Sequence, residues 1–88
     1  MNTPRHRPLS LGNLRAFEAV ARLLSFGAAA DELHLTQSAI SRQIKLLEEE
    51  LGSMVLHRGQ KRVALTASGD LLLKTVHRVQ RELQETVS

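Results

Sequence analysis

Apolar positions recur at helical spacing in four stretches of this chain, and residues suited to capping stand at the breaks. Leu14, Phe17, Ala21 and Leu24 fall at intervals of three, four and three, with Val20 beside them. They predict a first helix over residues 11–24, begun by either Ser10 or Gly12. Ser25 is a good N-cap for a short second helix over residues 26–34. Its small face of Ala28, Ala29 and Ala30 lets a neighbouring helix come close, with Leu33 expected to point inward and Leu35 to be buried in the turn. Ile40, Ile44, Leu47 and Leu51 recur at four, three and four and predict a third helix over residues 37–51. Thr36 caps its start, and Gly52 stops it by tolerating the left-handed conformation past the last turn.

The polar side of the third helix is ordered by charge. Gln37, Ser38, Ser41, Arg42 and Lys45 lie opposite the apolar stripe, and none of them is acidic, whereas Glu48, Glu49 and Glu50 wait for the end. That arrangement opposes the usual preference for acids near helix N-termini. It suits insertion of the N-terminal end into a DNA groove. On this stretch alone an ordinary amphipathic helix with a solvated face explains the pattern equally well. The tight connection to the second helix adds information, because two helices joined by two or three residues form a helix-turn-helix.

After Gly52 the periodicity changes. Residues 53–58 are compatible with a strand, Gly59-Gln60-Lys61 with a turn, and Arg62-Val63-Ala64-Leu65 with a second strand of alternating character. This predicts a small hairpin, a wing over residues 56–65. Arg58, Lys61 and Arg62 sit near its tip, where they can reach phosphates or a narrow minor groove. Thr66 then caps a long fourth helix from Ala67 to about Thr86. Leu72, Val76, Val79 and Leu83 form a narrow apolar seam along it, with Leu73 and Val87 close by, and Lys74, Arg78, Arg81, Glu82 and Glu85 on other sides. A narrow seam on a helix leaving a small domain fits pairing with a second helix. About twenty residues span roughly 30 Å, close to the ~34 Å between half-sites one DNA turn apart.

Composition narrows the rest. Eighty-eight residues make one small domain at most. The net charge of +3 favours a polyanionic partner. With no cysteine there is neither a disulfide framework nor a cysteine-based zinc site, which fits a cytoplasmic protein. No apolar run nears the ~20 residues that span a bilayer, so no membrane partner is expected. Residues 1–9, with Pro4 and Pro8, are expected to be a disordered basic arm. Catalysis has no support. His6, His34, His57 and His77 are scattered, no helical metal pair or acidic cluster joins them, and Ser38 and Ser41 have no neighbouring base. No catalytic or metal-ligating residue is therefore assigned. A nonspecific nucleoid-type binder would need basic residues spread widely, whereas here they cluster. A pure dimerisation module would leave the wing without a use.

Taken together, these residues resemble the N-terminal DNA-binding domain of LysR-type transcriptional regulators. The resemblance rests on Leu14-Arg15-Ala16-Phe17, Ser25-Phe26, Ala29-Ala30 and Leu33. It continues through Thr36 to Ile44, Leu47-Glu48, Leu51-Gly52, Arg58 and Val63-Ala64-Leu65-Thr66-Ala67-Ser68-Gly69. It implies a mainly α winged helix-turn-helix over residues 10–65, of three helices and a two-stranded wing, followed by a linker helix over residues 66–88. It implies homodimers through Leu72, Val76, Val79 and Leu83, which in longer proteins pair into tetramers, on interrupted palindromes in double-stranded DNA near promoters. Gln37, Ser38, Ser41 and Arg42 would contact bases. Thr36 and Lys45 would contact phosphates, and Arg58, Lys61 and Arg62 the backbone or minor groove. Leu56 stands where the family usually has Phe, which keeps the core apolar. Gly27-Ala28 replaces a polar, often basic pair, so a phosphate contact is expected to be missing there. The family's large effector-binding domain is absent from this sequence. No cofactor is expected in this chain, and a small-molecule inducer is expected only on that domain.

Overall fold

The computed structural model describes residues 9–57 and 62–87. The N-terminal arm up to residue 8, and the wing tip with Arg58 and Lys61, lie outside the described residues. Four helices follow one another: α1 Leu11–Leu23, α2 Phe26–Leu33, α3 Gln37–Leu51 and α4 Ala67–Val87.

Each helix starts at a side chain that the sequence supplies. Ser10, not Gly12, begins α1, its hydroxyl accepting the Asn13 N–H at 3.3 Å. Ser25 accepts from Ala28 at 3.0 Å and Thr36 from Ala39 at 3.0 Å. Such a cap contributes about 1 kcal/mol. Helix α2 ends at Leu33, one residue before the expected end, because His34 turns into the left-handed region at φ 58°. The Leu35 N–H then reaches back to the Ala30 carbonyl at 2.9 Å, which closes the helix end within two residues. Leu35 itself is not buried as expected. It is 41% exposed, because the turn spends its backbone, not its side chain, on closing α2. Leu24 likewise leaves the α1 stripe, serving as a left-handed cap at φ 55° with an exposed side chain.

The core forms where α1 packs on α2 and α3. Phe17, Val20, Ile40, Ile44 and Leu47 are fully buried, and Val55 and Leu56 close the cluster from the segment after α3. Burying each large apolar side chain stabilises the fold by about 1.5–3 kcal/mol. Phe26 is only half-buried at its edge, while Leu51 lies at the rim, 37% exposed. The wing is reduced, among the described residues, to one antiparallel bridge between Leu56 and Leu65, with the His57 N–H donating to the Ala64 carbonyl at 2.9 Å.

Helix α4 begins on this bridge. The Thr66 hydroxyl donates to the Met54 carbonyl at 2.6 Å and accepts the Gly69 N–H at 3.0 Å, so one side chain both caps α4 and ties it to the loop after α3. Leu72 and Leu73 pack against the core of the same chain, and Val76 is half-buried. From Arg78 to Val87 every residue is exposed. Among the described residues α4 touches α1 and no other helix.

Candidate nucleic-acid interface

One side of α3 is fixed by burial and the other is left free. Ile40, Ile44 and Leu47 are fully buried, and this sets the rotation of the helix about its axis. Ser38, Ser41, Arg42 and Lys45 face solvent in consequence, and Gln37, in line with the stripe but in the first turn, is exposed as well. Thr36 stays exposed at the start with its hydroxyl engaged in the cap. Neither Arg42 nor Lys45 takes part in an ion pair among the described residues. Their charges remain available to an outside anion. No acidic residue lies in the first turn of α2 or α3, so the partial positive charge at both N-termini is undiminished.

These two N-termini meet at a shallow hollow. Leu24, Ser25, Phe26, Gly27, Gln37, Arg62 and Val63 line it. Gly27 lacks a side chain, and a Cβ at that position would sit 3.3 Å from Gln37 Nε2. The bare glycine therefore leaves room for Gln37 to lie against the start of α2. Arg62, exposed on the returning arm of the wing, borders the same hollow. The structure thus brings Arg62 to the side of Gln37. Arg58 and Lys61 lie outside the described residues.

The acids of α3 do not act as one group. Glu49 and Glu50 are exposed, but Glu48 is buried. Its Oε2 accepts the Val55 N–H at 2.9 Å and the Leu56 N–H at 3.3 Å. A carboxylate on α3 thereby holds the segment that leads into the bridge with Leu65. Glu48 lies four residues after Ile44, on the core side of the helix, so its inward direction was present in the spacing. Its backbone partners were not.

A second polar cluster has no counterpart in the sequence reading. Glu18 of α1 receives Arg22 Nε at 2.9 Å and Arg22 Nη2 at 3.2 Å on its two oxygens. His77 Nε2 of α4 lies 2.8 Å from Glu18 Oε2, and Arg22 also bonds to Glu32 of α2. Burial pushes the Glu18 carboxyl up, but hydrogen bonds from Arg22 and His77 and the accompanying charge outweigh it. The group is held below its ordinary value. Glu18 and Glu32 in turn hold Arg22 more firmly protonated than usual. The i, i+4 spacing of Glu18 and Arg22 is a sequence signal; the arrival of His77 from 59 residues away is not.

The apolar seam expected along α4 is divided by the fold. Leu72 and, in part, Val76 face their own domain, while Val79 and Leu83 are 46% and 60% exposed. Leu71, 68% exposed, was not on the expected seam. No helix among the described residues is long and apolar enough to cross a membrane. No group of His, Asp or Glu among them is arranged to hold a metal ion.

Comparison with known proteins agrees with this geometry. The sequence model for bacterial regulatory helix-turn-helix proteins of the lysR family matches residues 11–70. The HTH-type transcriptional regulator TrpI of Pseudomonas aeruginosa is 53% identical over 60 residues, covering 68% of this chain and 20% of TrpI. The HTH-type transcriptional activator AmpR of Providencia stuartii is 51% identical over 74 residues, covering 84% of this chain and 25% of AmpR. The chain thus spans about a fifth to a quarter of the length of these curated relatives. Among solved structures, the complex of the BenM DBD with benA site 1 DNA superposes with a TM-score of 0.82 at 38% identity. That alignment covers 89% of this chain and 88% of the other.

Proposed function

This chain belongs to the lysR family of bacterial regulatory helix-turn-helix proteins, and on that premise we propose that it reads promoter palindromes in double-stranded DNA for a transcriptional regulator. Its matched relatives are transcriptional regulators, not enzymes. One observation carries the reading. The N-terminal half of α3 presents an unpaired, acid-free polar face, and the fully buried Ile40, Ile44 and Leu47 lock that face outward. In this reading α3 enters the major groove by its N-terminal end. Gln37, Ser38, Ser41 and Arg42 meet base edges, where a bidentate Arg or Gln contact discriminates by about 1–3 kcal/mol. Thr36 and Lys45 meet phosphates, and Arg62, with Arg58 and Lys61, follows the backbone or minor groove.

Two copies pair through α4. The exposed Val79 and Leu83, with the exposed part of Val76, supply the contact. Tetramers and an inducer belong to the effector domain that such regulators carry beyond the reading head, and the site of action is the cytoplasm. The test is selection of bound sequences from randomised duplex DNA at moderate salt. An interrupted two-fold palindrome is expected. Arg42→Ala should then lose about 1–3 kcal/mol on the selected site and relax the base preference at one position. Binding without a motif that vanishes as salt rises would leave a nonspecific binder and remove the base-reading roles.

A further inference from the structure

We propose that His77 is a positioning residue: its bond to Glu18 fixes the direction in which α4 leaves the reading head, and so selects the spacing between half-sites. The proposal rests on the dimer reading above and adds to it the device that sets the register.

The geometry is that of a lever with two anchors. The first is at Gly69, where α4 lies so close to the Val55 carbonyl that no side chain fits between them. The second is His77, bonded to the buried carboxylate of Glu18. Leu72, Leu73 and Val76 pack between the anchors but are only partly buried, so they hold the tilt of α4 less tightly than a directed bond to a fixed group does. From Arg78 onward every residue of α4 is exposed. Glu18 is itself immobilised, because Arg22 grips both its oxygens and is held in turn by Glu32 of α2. The direction of α4 is therefore referred through α1 to α2, the helix that braces α3.

The lever arm makes small movements matter. Eight residues separate Gly69 from His77, about 12 Å of helix, while Val87 lies about 27 Å from Gly69. A shift of about 1.5 Å at His77 thus becomes about 3.4 Å at the end of the helix, one base-pair step. If the far ends are joined in a dimer, the same movement displaces the reading heads instead. Arg81 and Lys74 share the helix with His77, but neither is bonded to Glu18.

The selected half-sites are placed at every separation within a few base pairs of about ten, and binding is measured for the wild type, His77→Leu and His77→Gln. The wild type should prefer one separation roughly tenfold over its neighbours, the scale of one hydrogen bond to a charged group. His77→Leu should spread that preference over adjacent separations, with unchanged half-site affinity and unchanged dimer mass by sedimentation. His77→Gln, which can still donate to Glu18, should restore the wild-type profile. His77 is at the surface, and matched melting temperatures would show that both variants are folded. A folded, dimeric His77→Leu with the wild-type spacing profile would overturn the positioning role alone. A wild-type chain that stays monomeric on DNA would overturn the dimer reading and the positioning role with it.

Discussion

Replacing Gly69 by Ala sets two effects of opposite sign against each other. In a free helix the change would stabilise, by at most about 1 kcal/mol, because alanine loses less backbone entropy. In this fold a Cβ at Gly69 would lie 2.0 Å from the Val55 carbonyl oxygen, 2.9 Å from its carbon and 3.2 Å from Leu65 Cδ2. Carbon and oxygen rarely approach within about 3.3 Å, so α4 must withdraw by about 1.3 Å. The neighbour is backbone and cannot swing aside. Withdrawal stretches the Thr66 N–H bond to the same carbonyl, now 3.2 Å, beyond useful range. Overpacking costs about 1–3 kcal/mol and the lost bond about 1 more. The clash wins, with a net loss of about 1–3 kcal/mol after the helix-propensity gain. For a domain of this size that lowers the melting temperature by about 5–20 °C. Thermal unfolding followed by far-UV circular dichroism measures it, with Gly12→Ala as the control. Gly12 has only ordinary contacts, at 3.6 Å, so its substitution should be neutral or mildly stabilising. A Gly69→Ala protein melting at or above the wild-type temperature would refute the docking of α4 on Val55.

Glu48→Ala should lose about 2–4 kcal/mol in urea unfolding, because two buried N–H groups lose a charged acceptor, and Glu48→Gln should recover part of the loss. Acid unfolding should report Glu18. Its folded pKa lies below the ordinary 4.5, so its contribution is complete above that value and disappears as pH falls through the folded one. Glu18→Gln should therefore be less stable than the wild type at neutral pH and converge with it in acid, as melting temperature against pH would show. Lys45→Ala should weaken binding evenly across DNA sequences and reduce the salt slope by about one; a loss confined to one sequence would make Lys45 a base reader. Val79→Asp with Leu83→Asp should abolish dimers in sedimentation while leaving the single chain folded by circular dichroism, since both sites are exposed in it.

Helix positions, caps and the free face of α3 were legible in the sequence because they depend on neighbours within one turn. A cap needs a hydroxyl three residues before an unpaired N–H; Ser25 and Thr36 were legible as such, whereas the choice of Ser10 over Gly12 was made by the structure. The stripe of Ile40, Ile44 and Leu47 requires Ser38, Ser41, Arg42 and Lys45 to face away from it, whereas Gln37 falls in line with the stripe and is exposed only because it stands in the first turn of α3. A small hairpin over residues 56–65 was expected from two short runs around a turn, but that Leu56 is the residue bridged to Leu65 was not legible there. Tertiary structure alone decided which apolar residues remain uncovered. Leu72 belongs to the core and Leu71 to the surface because α4 begins on the Val55 carbonyl, and that contact fixes its rotation. The same holds for charge. Glu48 resembles Glu49 and Glu50 in sequence, but only Glu48 meets the N–H groups of Val55 and Leu56. His77 meets Glu18 across 59 residues. Local periodicity says which side of a helix is apolar, whereas long-range partners depend on how helices are placed in three dimensions, which spacing along the chain does not encode.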